Sequence, residues 1–306
     1  MSAPGFRLCE ASAGDRLSRD KATYEAWGTR LTLPQYLERE RLLRGTVRAR
    51  RDMQTWLLRL PNDVVVASAE TFRLPLSPAG ALEVIASVFV ERPLRGVGMA
   101  SRLIESIGTN RREAGLDGLV LFSEVGAGLY ARAGFRLLPA PTRRWPARPS
   151  TRSSRITITE DVGPLIAARA HWRADPLDLR VDAALVEWHL GRTKFYREVL
   201  DLPVSGGVGA LTDDACVLWA ADVKAGVLRL LDASGRPGAD LSPLVEAAAD
   251  EAARHGLTHV ELWDDTHSLA LEGGTPFERD DDLPMGLAFT PRGELMMGAL
   301  PRLAWA

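Results

Sequence analysis

Cysteine is almost missing from this 306-residue chain. The two present, Cys9 and Cys216, stand far apart and outside any CxxC or Cys/His spacing. A disulfide framework and a structural zinc site are both excluded, and each cysteine reads as a buried thiol. Histidine is scarce as well: His171, His189, His255, His259 and His267 offer no ligand cluster, and no metal is expected. His189, beside Trp188 on an amphipathic stretch, reads as a packed or capping residue rather than a catalytic one. No apolar run approaches the roughly 18 to 20 residues of a membrane span. The opening MSAPGFRLCEASAGDR has no apolar segment of secretory type. A cytoplasmic protein with no membrane partner is expected.

The composition, 46% hydrophobic and 25% charged, is that of a globular protein with a packed core, and the length suits two domains. A net charge of −2 conceals halves of +8 (residues 1–150) and −10 (residues 151–306). An acidic half could draw in a cationic ligand, and drift in surface composition explains the difference equally well. Nucleic acid is not expected, since the arginines are scattered and no recognition motif accompanies them. Asp280-Asp281-Asp282 reads first as a solvated turn and second as a gatherer of cations.

Hydrophobic periodicity predicts a strand over 6–10 and helices over 15–27 and 34–50. Strands over 55–60, 64–72 and 82–90 follow, then a helix over 100–113, a strand over 119–123, a short helix over 126–133 and a strand from Phe135. The segment Pro139 to Ser154 is rich in proline, arginine and serine and reads as a linker, placing a domain boundary near Pro149. Beyond it come a strand over 156–159, helices over 165–172 and 181–200, strands over 207–211, 216–222 and 227–231, a helix over 243–255 and a strand over 259–263. Residues 1–149 and 150–306 thus repeat one architecture without repeating residues: an α/β (α+β) domain with a mixed, mostly antiparallel sheet, then a diverged copy.

The junction Arg95-Gly96-Val97-Gly98-Met99-Ala100-Ser101 joins a strand to a helix. Backbone N–H groups and a helix N-terminus converge there with little side-chain bulk, as a pyrophosphate requires. A helix start that needs small residues for packing is the alternative.

Arg95-x-x-Gly98-x-Ala100 resembles the R/Q-x-x-G-x-G/A signature of the GCN5-related N-acetyltransferase superfamily. Tyr130, four residues before Gly134-Phe135, resembles its second signature. Shorter stretches are similar to the fungal lysine N6-acetyltransferase family. These are Thr55-Trp56, Ala67 to Arg73, Ile85 to Val90, Phe122 to Gly126, Trp188-His189, Phe195-Tyr196, Gly209-Ala210, Trp263-Asp264 and Ala304-Trp305. The resemblance implies acetyl-CoA held by Arg95 to Ser101, its carbonyl against N–H groups of Val88, Phe89 and Val90, and Tyr130 protonating the thiolate that leaves. The acceptor it implies is a small amine, most specifically the side-chain amine of free L-lysine.

The resemblance also implies a carboxylate that removes the amine proton directly or through water, and Glu70 and Glu83 are the candidates. Strand parity puts Glu83, Ile85, Ser87 and Phe89 on one face, while Glu70 could instead bind the substrate ammonium. Ser123 and Glu124 are further pocket candidates. In the second half the equivalent stretch, Leu228 to Gly238, lacks the glycine spacing. Asp232 and Asp240 carry negative charge and Pro237 removes a donor, so that copy should bind no coenzyme. Alternatives are acetylation of proteins or peptides and a non-catalytic acyl-CoA-binding module, against which Tyr130 counts. A monomer or homodimer is expected.

Overall fold

The computed structural model describes residues 5–76, 80–150, 155–173, 179–202, 206–263, 269–279, 282–298 and 300–304. Asp264, His267, Asp280, Asp281 and Trp305, singled out above, lie outside the described residues. The chain divides into two units. One comprises Met1–Leu138, Asp280–Gly298 and Trp305–Ala306; the other comprises Pro139–Arg279 and Ala299–Ala304.

In chain order the elements are β1 (Arg7–Glu10), α1 (Ala13–Trp27), α2 (Leu33–Arg44), α3 (Val47–Asp52), β2 (Met53–Arg59), β3 (Val65–Pro75), β4 (Ala81–Val90), α4 (Met99–Glu113), β5 (Gly118–Ser123), α5 (Gly128–Ala131), β6 (Arg136–Leu137) and β7 (Thr142–Pro146). They continue with β8 (Thr157–Thr159), α6 (Val162–Trp172), α7 (Ala183–Val199), β9 (Gly209–Leu211), β10 (Ala215–Asp222), β11 (Val227–Gly235), α8 (Ser242–Arg254), β12 (His259–Trp263), β13 (Thr275–Phe277), β14 (Leu283–Ala288) and α9 (Pro291–Met297). No helix among the described residues is long and apolar enough to cross a membrane.

The first sheet has the order β1-β2-β3-β4-β5-β14-β6 and the second, read from its other edge, β8-β9-β10-β11-β12-β7-β13. In both, one pair is parallel, β4 with β5 and β11 with β12, and all other pairs are antiparallel. The architecture expected from sequence is therefore present twice, with one feature the sequence does not announce. The sixth strand of each sheet comes from the other half of the chain. β14 pairs with β5 in the first sheet, and β7 pairs with β12 in the second.

Side chains account for both exchanges. The apparent linker contains β7, in which Arg144 stands opposite Glu261 and binds it, and lies over the Phe277 ring at 3.5 Å. Arg143 donates to the Leu271 and Gly273 carbonyls at 3.3 and 3.1 Å. In the first unit buried Asp117 grips the returning segment. Its carboxylate accepts from Thr290 Oγ1 and Arg292 Nη2, both at 2.7 Å, and from the Ala81 N–H at 2.9 Å. Burial pushes this carboxyl up, but the Arg292 bond and the N–H of Ala81 outweigh it and hold the group below the usual carboxylate range. Gly286, in β14, leaves room for α9: a Cβ there would come within 2.6 Å of Met297 Sδ.

Two expectations change. The division falls between Leu138 and Pro139, so the boundary expected near Pro149 lies inside the second unit. The charge asymmetry also largely disappears. Arg143, Arg144 and Arg148 belong to the second unit, while the three aspartates 280–282, Arg292 and Glu294 belong to the first, leaving unit charges of +2 and −4.

A fragment of residues 1–150 lacks β14, so β6 has no partner and one edge of β5 is open. It is expected to melt without a cooperative transition by circular dichroism. Residues 1–138 joined through a flexible linker to 280–298 are expected to melt cooperatively. A sharp transition from the shorter fragment would show that β14 is dispensable.

Candidate active site at the splay of β4 and β5

Parallel pairing of β4 with β5 runs from Leu82–Gly118 to Ile85–Leu121 and stops there, while β4 continues to Val90. The strands splay because β4 changes course. Against β3, Ala86 faces Glu70 and Phe89 faces Ser68, so Ser87 and Val88 together oppose Ala69. That is a β-bulge, with Ser87 at φ 53° in the left-handed region. The bulge breaks the expected alternation. Ile85, opposite Thr71, faces the core beneath α4, whereas Phe89 turns to the face of Ser68 and meets the Trp27 ring edge-on, centroids 6.1 Å apart.

Past the splay the chain makes a single 3-10 turn at Arg92–Leu94 and enters α4 through Gly96 (φ 78°) and Gly98 (φ 86°), the N-cap. Both glycines are demanded by backbone conformation and not by packing, because an added Cβ would meet nothing within 4 Å at either. This disposes of the packing explanation for these two glycines. No side chain caps α4, so the N–H groups of its first turn lack an intrahelical or capping acceptor and carry the positive end of the helix dipole. Arg95, whose Nε donates to the Val90 carbonyl at 3.1 Å, adds exposed positive charge, and Val97 is 61% exposed. An anion with several oxygens fits this cradle.

Tyr130 lies buried in the core cluster that includes Ile85 and Leu121, the residues where strand pairing ends, and Leu103 and Ile104 of α4. The turn leading to it is pinned by Ser123, whose Oγ donates to the Gly126 carbonyl at 2.6 Å and accepts from the Val125 N–H at 3.3 Å. Ser123 is thus committed to the turn. Burial pushes the Tyr130 phenol up to about 12, with the Glu124 charge adding to the effect. The hydroxyl therefore stays protonated at neutral pH, and no hydrogen bond to it forms among the described residues. Glu124 is exposed at the end of β5. Because Leu283 stands opposite Ser123, buried Asp282 is brought to the same end of the sheet.

The two glutamates expected as bases lie on opposite faces of the sheet. Glu83 stands opposite Arg73, and Glu70 has the other parity. Glu83 is five residues before Val88, about 16 Å along an extended strand, and pairs with Arg111 at 3.4 Å. It does not reach the splay. Glu70 lies beside the bulge, bound by Arg19 at 3.1 Å and Arg44 at 3.2 Å. Burial would raise its pKa, but Arg19 and Arg44 outweigh this and hold the carboxyl below its ordinary value, which makes it a weak proton acceptor. Sequence reasoning did not find Arg19 or Arg44, and it read Asp282 first as part of a solvated turn, whereas Asp282 is buried. Buried arginines on an otherwise polar helix carry no signature in a single sequence.

The second unit keeps the splay without the cradle. β11 runs on to Gly235 after its last pairing with β12 at Leu230–Leu262. Asp232 is not at the helix start: it is buried within β11 and pairs with Arg169 at 2.9 Å. Asp240 accepts from the Ser242 N–H at 2.9 Å, and Pro243 in the first turn of α8 supplies no donor. His189 is buried and its Nε2 lies 3.0 Å from the Leu303 carbonyl oxygen, a packed residue as expected. His255 and His259 are four residues apart but separated by the end of α8, so they share no helical face. No group of three or more potential metal ligands occurs among the described residues.

Glu70→Gln removes a charge between buried Arg19 and half-buried Arg44 and is expected to lower stability by about 3 kcal/mol, with Glu83→Gln costing less. The Glu70 carboxyl titrates below its unfolded value of about 4.3. Its contribution is therefore complete above that pH and is lost as pH falls through the lower folded value. Thermal melts of wild type and Glu70→Gln from pH 7 to pH 3 check this: the gap between them should close on acidification.

No family model and no curated protein matches the sequence. Solved structures do match its fold. A candidate acetyltransferase from Pyrococcus horikoshii is 14% identical, with 100% of this chain and 98% of that one covered at TM-score 0.58. A GCN5-related N-acetyltransferase from Anabaena variabilis is 14% identical over 92% of this chain and 72% of that one, at TM-score 0.56. A candidate N-acyltransferase from Enterococcus faecalis is 8% identical over 94% and 73%, at TM-score 0.58. The chain has the fold of the GCN5-related N-acetyltransferases, built twice.

Proposed function

We propose that the first unit transfers the acetyl group of acetyl-CoA to a primary amine, and that the acceptor is a small cationic amine such as the side-chain amine of free L-lysine. The observation that carries the reading is the pair of left-handed glycines opening an uncapped α4 beside the splay. They leave a cradle that no protein side chain requires to be empty. Gly96 to Ser101 and Arg95 would hold the pyrophosphate. Bound there, the coenzyme supplies an acetyl group activated as a thioester.

The chain's own groups do the rest. An alkyl amine of pKa about 10.4 is neutral in only about one molecule in 2,500 at pH 7, so a proton must leave before the nitrogen can attack. Glu124 and Asp282, at the end of β5, favour the approach of an ammonium group, and with Glu70 and Glu83 held in ion pairs the proton leaves through water at this end of the sheet. Along Val88 to Val90, where β4 has run past its last pairing with β5, backbone N–H groups not spent on β3 are donors for negative charge on the acyl oxygen. As the C–N bond forms and the C–S bond breaks, protonated Tyr130 gives its proton to the departing sulfur and is reprotonated from solvent. The second unit, with Asp240 and Pro243 at its helix start, binds no coenzyme.

The resemblance to fungal lysine acetyltransferases supports free lysine, and the acidic residues at the end of β5 support a cationic acceptor generally. Thiol release from acetyl-CoA, measured across amino acids, polyamines, aminoglycosides and peptides, tests this. Lysine should rank first, and preference for peptides would move the assignment to protein acetylation. Tyr130→Phe is expected to cut kcat about 10²-fold with coenzyme affinity nearly unchanged; equal turnover would make the tyrosine structural. Gly98→Asp adds charge and a side chain that meets open space. Calorimetry should find coenzyme affinity at least about tenfold weaker and a stoichiometry of one in wild type, with the fold retained; two coenzymes per chain would refute the inert second unit.

A further inference from the structure

Arg19 sits in α1, yet its side chain is only 4% exposed, and its donors go to three places on two strands. Nε donates to Ser68 Oγ at 3.2 Å, Nη1 to Glu70 Oε1 at 3.1 Å and Nη2 to the Ser87 backbone carbonyl at 3.1 Å. Ser68 and Glu70 flank Ala69, the one residue on β3 that faces the bulge, and Ser87 is the residue that makes it. A single guanidinium therefore bridges both sides of the irregularity. It is itself fixed, because Glu70 also binds Arg44, which pairs with Asp20 of α1, and the Trp27 ring lies 5.8 Å from the Arg19 guanidinium carbon.

A left-handed serine in a strand is strained and persists only where its surroundings hold it. We propose that Arg19 is a positioning residue for acyl transfer: by binding the Ser87 carbonyl, Ser68 and Glu70 together, it holds the β4 bulge and so keeps the N–H groups of the Val88 to Val90 stretch that are not spent on β3 at the splay. The inference rests on the acetyl-transfer reading of this site. Among the described residues Arg19 contacts Ser68, Glu70, Ser87, Asp20 and Trp27 rather than the glycine loop or Tyr130, and so acts through the strand. Loss of its grip should slow the chemical step and spare coenzyme binding, since donors that bear developing charge count in the transition state.

The test uses the full chain. Arg19→Lys keeps a cation beside Glu70 but places all its donors on one nitrogen, losing the planar fork whose Nε, Nη1 and Nη2 each reach a different acceptor. Expected are a kcat for thiol release lower by about 10- to 100-fold, an acetyl-CoA Kd within about threefold of wild type, and displaced backbone chemical shifts at Ser87 to Val90. Adding Ser87→Gly removes the strain, because glycine adopts a positive φ freely. The double variant should recover at least about fivefold in kcat over Arg19→Lys. Unmoved Ser87 signals, an unchanged kcat, or no recovery in the double variant would each overturn the positioning role. A wild-type chain without thiol release overturns this inference together with the reading it rests on, whereas an active wild type with an unaffected Arg19→Lys overturns this inference alone.

Discussion

Hydrogen bonding between β4 and β5 stops at Ile85 and Leu121, and the features of the first unit's site depend on that stop. A parallel pair that continued to Val90 would have no opening for a ligand and no reason to place a buried tyrosine at its end. Instead the bulge at Ser87 carries β4 away, Tyr130 fills the apex from the core side, and α4 starts beyond the gap with its first N–H groups unspent. Strain at one left-handed serine is of the order of 1–2 kcal/mol. Buried charge-assisted hydrogen bonds from Arg19 to Glu70 and the Ser87 carbonyl are of comparable worth, enough to decide the local conformation.

The second sheet repeats the device with different chemistry. β11 is bulged near Leu231, Arg173 at the C-cap of α6 donates to the Ala233 carbonyl at 3.2 Å, and Arg169 holds Asp232. What is missing is the glycine cradle. A 3-10 turn at Arg302–Ala304 packs against β11 and α7, with Arg302 over the ring of Trp263, the last residue of β12. This unit keeps the frame of the fold without the glycine cradle.

Strong periodicity made the fold legible where elements are long. The helices of α1, α4 and α8 and the strands β3, β4, β10 and β12 lie close to their expected limits, and the glycine loop and Tyr130 fall where the motifs put them. The two exchanged strands were illegible for a physical reason. β7 reads TRRWP and β14 reads LPMGLA, one mostly charged or polar, the other broken by proline and glycine, and neither has the alternation of a half-buried strand. Their places are fixed by Glu261, Asp117 and the room Gly286 leaves for Met297, all distant in sequence. The same limit applied to Glu70 and Glu83: strand parity found two acidic residues, but not the arginines that occupy them or the bulge that ends the parity.

The exchange of β7 and β14 also constrains the order of events at the ribosome. Most of the first unit's sequence has emerged once residue 138 is made, but its sheet waits for residues 283–288, which follow every strand of the second sheet. Meanwhile β5 offers an open edge, and β12 needs only β7, already synthesised, to close its own. Vectorial synthesis thus favours completion of the second sheet before the first. The sheet beside the glycine cradle is the later of the two to close, and until then the unpaired edge of β5 is open to other chains.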